Sequence, residues 1–404
     1  GREHGRRGPV LHHYGGSGSN AEREGVVDEV HGLLVFLPRG DSYGQGHHDA
    51  AAAAMQSLCC IFLLALMIPA WQGALVALRY YQIDAIDAAE RAFAQGHKRV
   101  LVVAATGCHV PNQLVMRHDG ALIRACDVKK GDLLMGPDSL PHDVVRLVSG
   151  RSQMLRVSPV KGEPFVVTAD HLLSVVRTRR RAGDEGGSIL DVPAADWFGW
   201  HPFARHLSKL FRVPVDFAGA PQLPIEPYFL GVILGDGSLA RDGASVTTMD
   251  REIYAELERQ AGLWGLRLVL VSDANTGRAA TWGLRAAVTG RGHHNPLRKA
   301  LRDLGLYPIA CHERFVPAAY LTAPTPLRLE VLAGLLDTDG SATDGGYEFA
   351  SKSVHLAQDV AFLARSVGLA AYVRPKEVAG TVYQRVGISG DCGRVPCRIP
   401  RKQH

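Results

Sequence analysis

FLGVILGDG at residues 229–237 and LAGLLDTDG at residues 332–340 are one pattern written twice. Each predicts a short apolar helix with small residues on one face, because Gly231 and Gly235 are four apart, as are Gly334 and Thr338. Small residues let two helix backbones approach closely, so the two copies are expected to pack on each other. Each helix then closes on Asp-Gly, and a glycine there suits a left-handed C-cap. The spacing sets Asp236 and Asp339 side by side at helix C-termini, where helix dipole and mutual repulsion both disfavour a carboxylate. A bound cation relieves both penalties. Two carboxylates completed by phosphate oxygens form the oxygen-rich setting that magnesium accepts. One copy alone reads equally well as an ordinary Asp-Gly turn; two copies about one small subdomain apart argue against coincidence.

Outward from the repeats, from about Leu223 onward, amphipathic runs such as 252–265 (EIYAELERQAGLWG) and 355–368 (HLAQDVAFLARSVG) alternate with strand-like text, an α+β pattern. The paired motifs resemble those of the LAGLIDADG (DOD-type) homing endonucleases, the second almost letter for letter, over roughly Pro227 to Ile399. The resemblance implies two pseudo-symmetric halves, each a motif helix followed by a curved antiparallel sheet, the sheets forming a saddle over double-stranded DNA. It also implies a monomeric, Mg2+-dependent phosphodiester hydrolase with Asp236 and Asp339 as catalytic metal ligands. Tyr347 to Ser351 (YEFAS) fits the strand after the second helix, and Lys352 falls where a lysine near the cut phosphate is expected, the plain alternative being a solvated lysine. In 312–321 (HERFVPAAYL), Arg314 stands where the family usually has lysine; it keeps the charge for a phosphate contact but cannot donate a proton at neutral pH.

Upstream, from Cys108 to about Phe217, short apolar runs (QLVM, ALIRACDV, DLLMG, DVVRLVSG, MLRVSPV, PFVVTADHLLSVV) broken by Gly, Asp and Pro predict an all-β unit. Before it, Ile83, Ile86, Ala89 and Phe93 recur at helical spacing, and Val100 to Ala104 is strand-like text running into Ala105-Thr106-Gly107. This α/β segment resembles the opening of a superfamily-two helicase, with Tyr81-Gln82 in the place of its adenine-reading glutamine and Ala104 to Gly107 as half a phosphate loop. A working loop needs lysine and a hydroxyl residue next; Cys108 follows instead, and no GK[ST] occurs later, so ATP hydrolysis is not expected.

A phosphate loop interrupted by a cysteine that opens an all-β unit resembles an intein entering a helicase, with Cys108 as first residue and Thr168-Ala169-Asp170-His171 as the histidine-bearing block. The resemblance implies a Hint-type splicing domain in which the Cys108 thiol attacks the Gly107 carbonyl, His171 protonates the departing amide and Thr168 helps hold the scissile peptide. Taken singly, Cys108 reads as a small buried thiol and His171 as a core or surface histidine. Cys126, inside an apolar run, is expected in the core. The residues of a second splicing half do not follow before His404, so the splicing domain is expected to be incomplete, with a C-terminal intein fragment as a partner in trans. The competing reading is a fragment of an ATP-dependent DNA helicase carrying a decayed intein without endonuclease activity.

At 404 residues with 46% hydrophobic content the chain can bury several cores, and the whole reads as multidomain. The net charge of +5 singles out no partner, and the clusters Arg177, Arg179, Arg180, Arg181 and Arg398, Arg401, Lys402 are expected on solvated faces. The 7 cysteines show no disulfide framework, which favours a cytoplasmic setting, and Cys392 with Cys397 lacks a second pair for zinc. The first 54 residues show no period and are expected to be disordered. The apolar run 55–78 lacks a basic flank and contains Pro69, so neither secretion nor membrane insertion is expected. The expected units are 1–76, an N-terminal segment; 77–107, helicase-like; 108–222, splicing; and 223–399, endonuclease.

Overall fold

The computed structural model describes residues 109–404, apart from 179–186, 218, 220–221, 240–243, 274–278 and 288–294, together with 21–31, 91 and 94–95. Gly107, Cys108, the helicase-like segment, the apolar run 55–78 and Arg179 to Arg181 therefore lie outside the described residues, apart from Arg91, Ala94 and Gln95. One N-terminal expectation is corrected: β1 (Ala21–His31) is a strand, paired antiparallel with β6 (Ser149–Val157). Its backbone order comes from ladder hydrogen bonds to a neighbour, a tertiary source that periodicity does not register.

The first unit is built from short strands, as expected. Two hairpins, β2–β3 (Leu114–Met116, Leu122–Arg124) and β4–β5 (Leu133–Met135, Pro141–Asp143), precede β6, which pairs antiparallel with β7 (Phe165–Thr168). The β2–β3 turn is an Asp-Gly corner that needs Gly120 at φ 86°. A second sheet has the order β10-β8-β9, from Leu172–Arg177 (β8), Ile189–Pro193 (β9) and Ser208–Leu210 (β10). In β8, Leu173 and Val175 are buried while Leu172 and Ser174 face out, the two-residue period of a strand with one covered face. Two short helices, α1 (Ala194–Gly199) and α2 (Pro202–His206), interrupt the all-β pattern, and α1 drops Trp197 into the core formed by Leu155, Val167, Leu173 and Val192. Cys126 lies not in a strand but in a 3-10 turn, Ala125–Asp127, half-buried.

The second unit contains the two motif helices. In α3 (Pro227–Asp236) every residue from Pro227 to Gly235 is buried, the mark of a helix that is apolar all round because other elements surround it. It is followed by β11 (Gly237–Ser238), β12 (Ser245–Thr248), α4 (Arg251–Leu263), β13 (Leu266–Ser272), β14 (Ala280–Ala286) and α5 (Pro296–Asp303). After α6 (Ala318–Leu321), the order repeats: α7 (Thr325–Asp339), β15 (Gly340–Thr343), β16 (Gly346–Ser351), α8 (Val354–Ser366), β17 (Ala370–Val378) and β18 (Thr381–Ser389). The sheets have orders β11-β12-β14-β13 and β15-β16-β18-β17, the same path twice. Thus the two halves of the pseudo-symmetric α+β unit share one topology, and YEFAS lies in β16.

The C-caps correct the sequence expectation. Gly237 (φ −75°, ψ 144°) and Gly340 (φ −88°, ψ 154°) are extended, not left-handed. Each glycine is already the first residue of a strand, so the chain leaves the helix without reversing. Glycine is required there by space: a Cβ on Gly237 would stand 3.0 Å from Ile233 Cα, and one on Gly340 2.7 Å from Leu336 Cα.

The segment between the units is pinned by Arg328 of α7, whose side chain is fully buried. Its Nε donates to Ala323 O at 2.7 Å, and its Nη2 to Val215 O at 2.5 Å and Thr325 Oγ1 at 2.9 Å; Nη1 donates to Ser366 Oγ. Asp216 joins the cluster, accepting from Thr325 N at 3.0 Å while its own N–H donates to Ser139 Oγ at 2.9 Å. Among the described residues no helix is long and apolar enough to cross a membrane.

Candidate active site

The motif helices α3 and α7 touch backbone to backbone. A Cβ on Gly231 would lie 2.9 Å from Gly334 Cα and Leu335 N and strike Val331 O; one on Gly334 would lie 2.9 Å from Val232 N and strike Tyr228 O. Opposite Gly235 stands Thr338, whose hydroxyl returns to its own helix, donating to Gly334 O at 2.9 Å and Leu335 O at 3.1 Å. The polar atom is thereby satisfied without spreading the helices.

This crossing delivers Asp236 and Asp339 to adjoining helix ends. Asp339 is pushed up to about 6, first by desolvation and then by the charge of Asp236, against the opposing pull of Arg314 and Lys402. Asp236 is also raised, by desolvation first, with Lys402 and Arg314 again opposing. Asp339 is nevertheless open to solvent on one side. The two facts agree for a carboxylate that has protein close by on most sides without being covered by it. Desolvation, rather than the mutual repulsion expected from the sequence, is the first cause of both shifts. Among the described residues no group of three or more His, Cys, Asp or Glu gathers to hold a metal. The donor set here is two carboxylates, hard oxygens that fit a magnesium-sized ion sharing its remaining positions with solvent or phosphate.

Each helix end is sealed by a cation arriving from a later segment. Arg314 donates from Nη1 to Leu234 O at 2.8 Å and Gly235 O at 2.5 Å, and from Nη2 to Gly237 O, closing α3. Lys402, a buried lysine, donates to Leu336 O at 3.0 Å, Asp337 O at 2.6 Å and Thr338 O at 3.1 Å, closing α7. Carbonyls at a helix C-terminus lack intrahelical partners and carry the negative end of the dipole, so a cation is the natural cap. The contacts of Arg314 are to these helix carbonyls. The expectation that Lys402 lies on a solvated face is corrected. Arg398 pairs with Glu256 at 2.7 Å and Glu330 at 3.5 Å and lies 3.5 Å over the Tyr228 ring; Arg401 pairs with Asp250.

The tail carrying Lys402 is held by Asp337, a buried carboxylate that accepts from Tyr228 OH at 2.7 Å and from the backbone N–H of Arg398 at 2.6 Å. Its counterpart in the first motif is Leu234, so this anchor exists in one half only. A faint sequence signal was available: Arg314-Phe315-Val316-Pro317 and Arg398-Ile399-Pro400-Arg401-Lys402 both follow their half's last helix or sheet and set cations within three residues of a proline. Lys352 is exposed and its Nζ stands 5.5 Å from the centre of the Tyr383 ring on β18.

In the first unit, Thr168 ends β7 and is buried, and His171 follows in a turn whose N–H donates to Thr168 O at 3.1 Å. His109 makes an antiparallel bridge with Val167, so the chain beside Cys108 runs along Thr168. His171 is pushed down to about 4, by burial first and then by His109, with Asp170 opposing. Nothing in the sequence pattern singles out His109.

Residues 326–394 match the family described as LAGLIDADG-like domain. The chain carries a LAGLIDADG-like domain. Two curated relatives are similar to it: a replicative DNA helicase DnaB of Mycobacterium intracellulare, 32% identical over 274 residues, covering 63% of this chain and 41% of the relative; and the homothallic switching endonuclease of Saccharomyces cerevisiae, 26% identical over 193 residues, covering 44% and 33%. The chain therefore spans less than half the length of each. Among solved structures, mesophilic variants of the homing endonuclease I-DmoI align with TM-score 0.30 and 13% identity over 41% of this chain and 88% of theirs. I-DmoI bound to DNA and Ca aligns with TM-score 0.29 and 12% identity over 41% and 83%.

Proposed function

We propose that this LAGLIDADG unit is a homing endonuclease that cuts both strands of a long double-stranded DNA site with Mg2+, working as a monomer because one chain supplies both halves. The observation that carries this reading is the pair Asp236 and Asp339 at the ends of two helices in backbone contact, each end sealed by a cation. The carboxylates are raised by desolvation, a penalty that a divalent cation offsets, and such a cation when bound supplies Lewis-acid polarisation of a phosphate oxygen. Arg314 and Lys402 hold both helix ends in register and set a positive field where the scissile phosphates arrive. The kinship with a replicative helicase supports an intein setting, with the uninterrupted helicase gene as target.

The test is Mg2+-dependent cutting of a plasmid carrying that uninterrupted gene. Asp236→Asn and Asp339→Asn are each expected to lose cleavage while retaining DNA binding. Full cutting by the doubly substituted protein would remove the basis of the assignment, and no cutting by the parent would favour a decayed element.

A second reading has its own observation. The bridge between His109 and Val167 runs the residue after Cys108 alongside the turn that bears Thr168 and His171. This supports a thioester step at Gly107 in a splicing unit that takes a C-terminal intein fragment in trans. A strong external thiol should then release a fragment ending at Gly107, and Cys108→Ala should abolish that release.

A further inference from the structure

Arg314 follows α5 of the first half and caps that half's α3, yet its backbone is fastened to the second half. Ser353, the N-cap residue of α8, donates from Oγ to Arg314 O at 2.6 Å while accepting from Leu356 N at 3.1 Å. Two residues on, the Val316 N–H donates to Asp359 Oδ2 of α8 at 2.8 Å. Lys402 follows β18 of the second half and caps that half's α7, yet the side chains flanking it reach the first half. Arg398 donates to the buried carboxylate of Glu256 on α4 at 2.7 Å and stands 3.8 Å from Glu226, the N-cap residue of α3. Arg401 donates through both Nη atoms to Asp250, the N-cap residue of α4, from Nη2 at 2.9 Å. Helices α4 and α8 hold the same place in the two repeats, between the second and third strands. One exchange between the halves is therefore made twice.

We propose that Asp359 and Glu256 are positioning residues that act crosswise: α8 of the second half sets Arg314 on the first motif helix, and α4 of the first half sets Lys402 on the second, each helix end serving one DNA strand. The inference rests on the endonuclease reading given above. A cation that bridges several carbonyls does so in one geometry, so a small shift of the backbone that carries it is felt at the helix end. Neither helix end is fully set until the two halves have docked, which ties both cuts to the assembled unit. Contacts within the second half also hold the tail, from the Arg398 N–H to Asp337 and from Tyr347 OH to Lys402 O at 2.7 Å. Loss of the cross-half hold therefore slows a cut rather than abolishing it.

The test uses the full chain and two substitutions that leave the carboxylates and both caps intact. Asp359→Ala removes the acceptor of the Val316 N–H. Arg398→Met removes the cross-half ion pair, while Glu256 keeps Arg259 and Gln260 as donors. Labelling with a dicarbonyl reagent for Arg314 and an amine reagent for Lys402, read by peptide mass spectrometry, measures how firmly each cation is held. Asp359→Ala should raise labelling of Arg314 about tenfold and leave Lys402 as in the parent, and Arg398→Met should do the reverse. On a linear duplex carrying the uninterrupted gene, with each strand end-labelled in turn, Asp359→Ala should slow the cut in one strand about tenfold and Arg398→Met the cut in the other. Asp359→Asn, whose amide oxygen can still accept from Val316, should restore the parent's behaviour. A substitution that merely loosened the fold would slow both strands alike and expose both cations. Unchanged labelling, labelling that rises at both cations in either variant, or equal slowing of the two strands would overturn the proposal. No cutting by the parent would overturn the endonuclease reading instead, while the labelling still decides the crosswise hold.

Discussion

In the proposed reaction, proton and metal compete for the carboxylate of Asp339. Its folded-state value of about 6 stands above the ordinary 3.8, so the metal-free fold holds this proton more tightly than the unfolded chain does. That contribution to stability is full below about pH 4 and is lost as pH rises through about 6. The proposed cleavage needs the ionised form and should fall as pH drops through the same window. Raising Mg2+ should push the falling limb to lower pH, because the cation displaces the proton. A limb that stays fixed over a hundredfold range of Mg2+ would mean that Asp339 is not a ligand. The carboxylates themselves were legible from sequence because Asp-Gly closes the same apolar, small-residue pattern twice, which chance seldom produces. Lys402 was not: a lysine among arginines normally lies in water, and only the three carbonyls that it caps show otherwise. The contact of Lys352 with the Tyr383 ring was likewise not legible, since the two residues are far apart in the text.

For the motif helices, contact through glycine makes the crossing intolerant of added volume. Gly231→Ala or Gly334→Ala would set a methyl group against the partner helix's backbone, which cannot rotate away as a side chain can. Overpacking of this kind costs about 1–3 kcal/mol. The midpoint of urea unfolding should fall accordingly, and cleavage should fall further than stability because the carboxylates ride on the displaced helices. Gly262→Ala, on α4 with open space around the position, is the control and should leave both unchanged. Small residues at four-residue spacing were enough to foresee this contact. The conformation of the glycine caps was not foreseeable, because sequence shows that glycine is needed without showing whether backbone angle or crowding requires it.

Across the whole molecule, the two units meet through the segment at Pro214 to Phe217 and the buried guanidinium of Arg328. Arg328→Leu would leave Ala323 O, Val215 O and Ser366 Oγ without their donor, at a cost of about 3 kcal/mol. The segment between the units should then become the first point of limited proteolysis, with the LAGLIDADG half retaining its fold. An unchanged digestion pattern would show that the units are joined elsewhere. The change from short alternating runs to long amphipathic ones falls near Leu223, just before α3. The joint was not legible, since an arginine inside apolar helix text carries no sign of the carbonyls that will surround it. The equal strand orders of the two sheets likewise became plain only once the ladders were paired.

The caps of the two motif helices differ in kind, and in the proposed reaction that difference becomes one of timing. Burial lowers Arg314 as well, but from so high an ordinary value that it keeps its charge at any workable pH. Lys402 is lowered from the ordinary lysine value, by burial first, and can lose its charge as the solution becomes alkaline. The two strands of a duplex would then be severed by unequal machinery, through a half-cut form that persists. On supercoiled plasmid, open circles should accumulate ahead of linear product, and their share should grow with rising pH as the lysine-capped half slows. Lys402→Arg should abolish that growth. Equal appearance of both cuts at every pH would show that the two halves act alike despite their different caps.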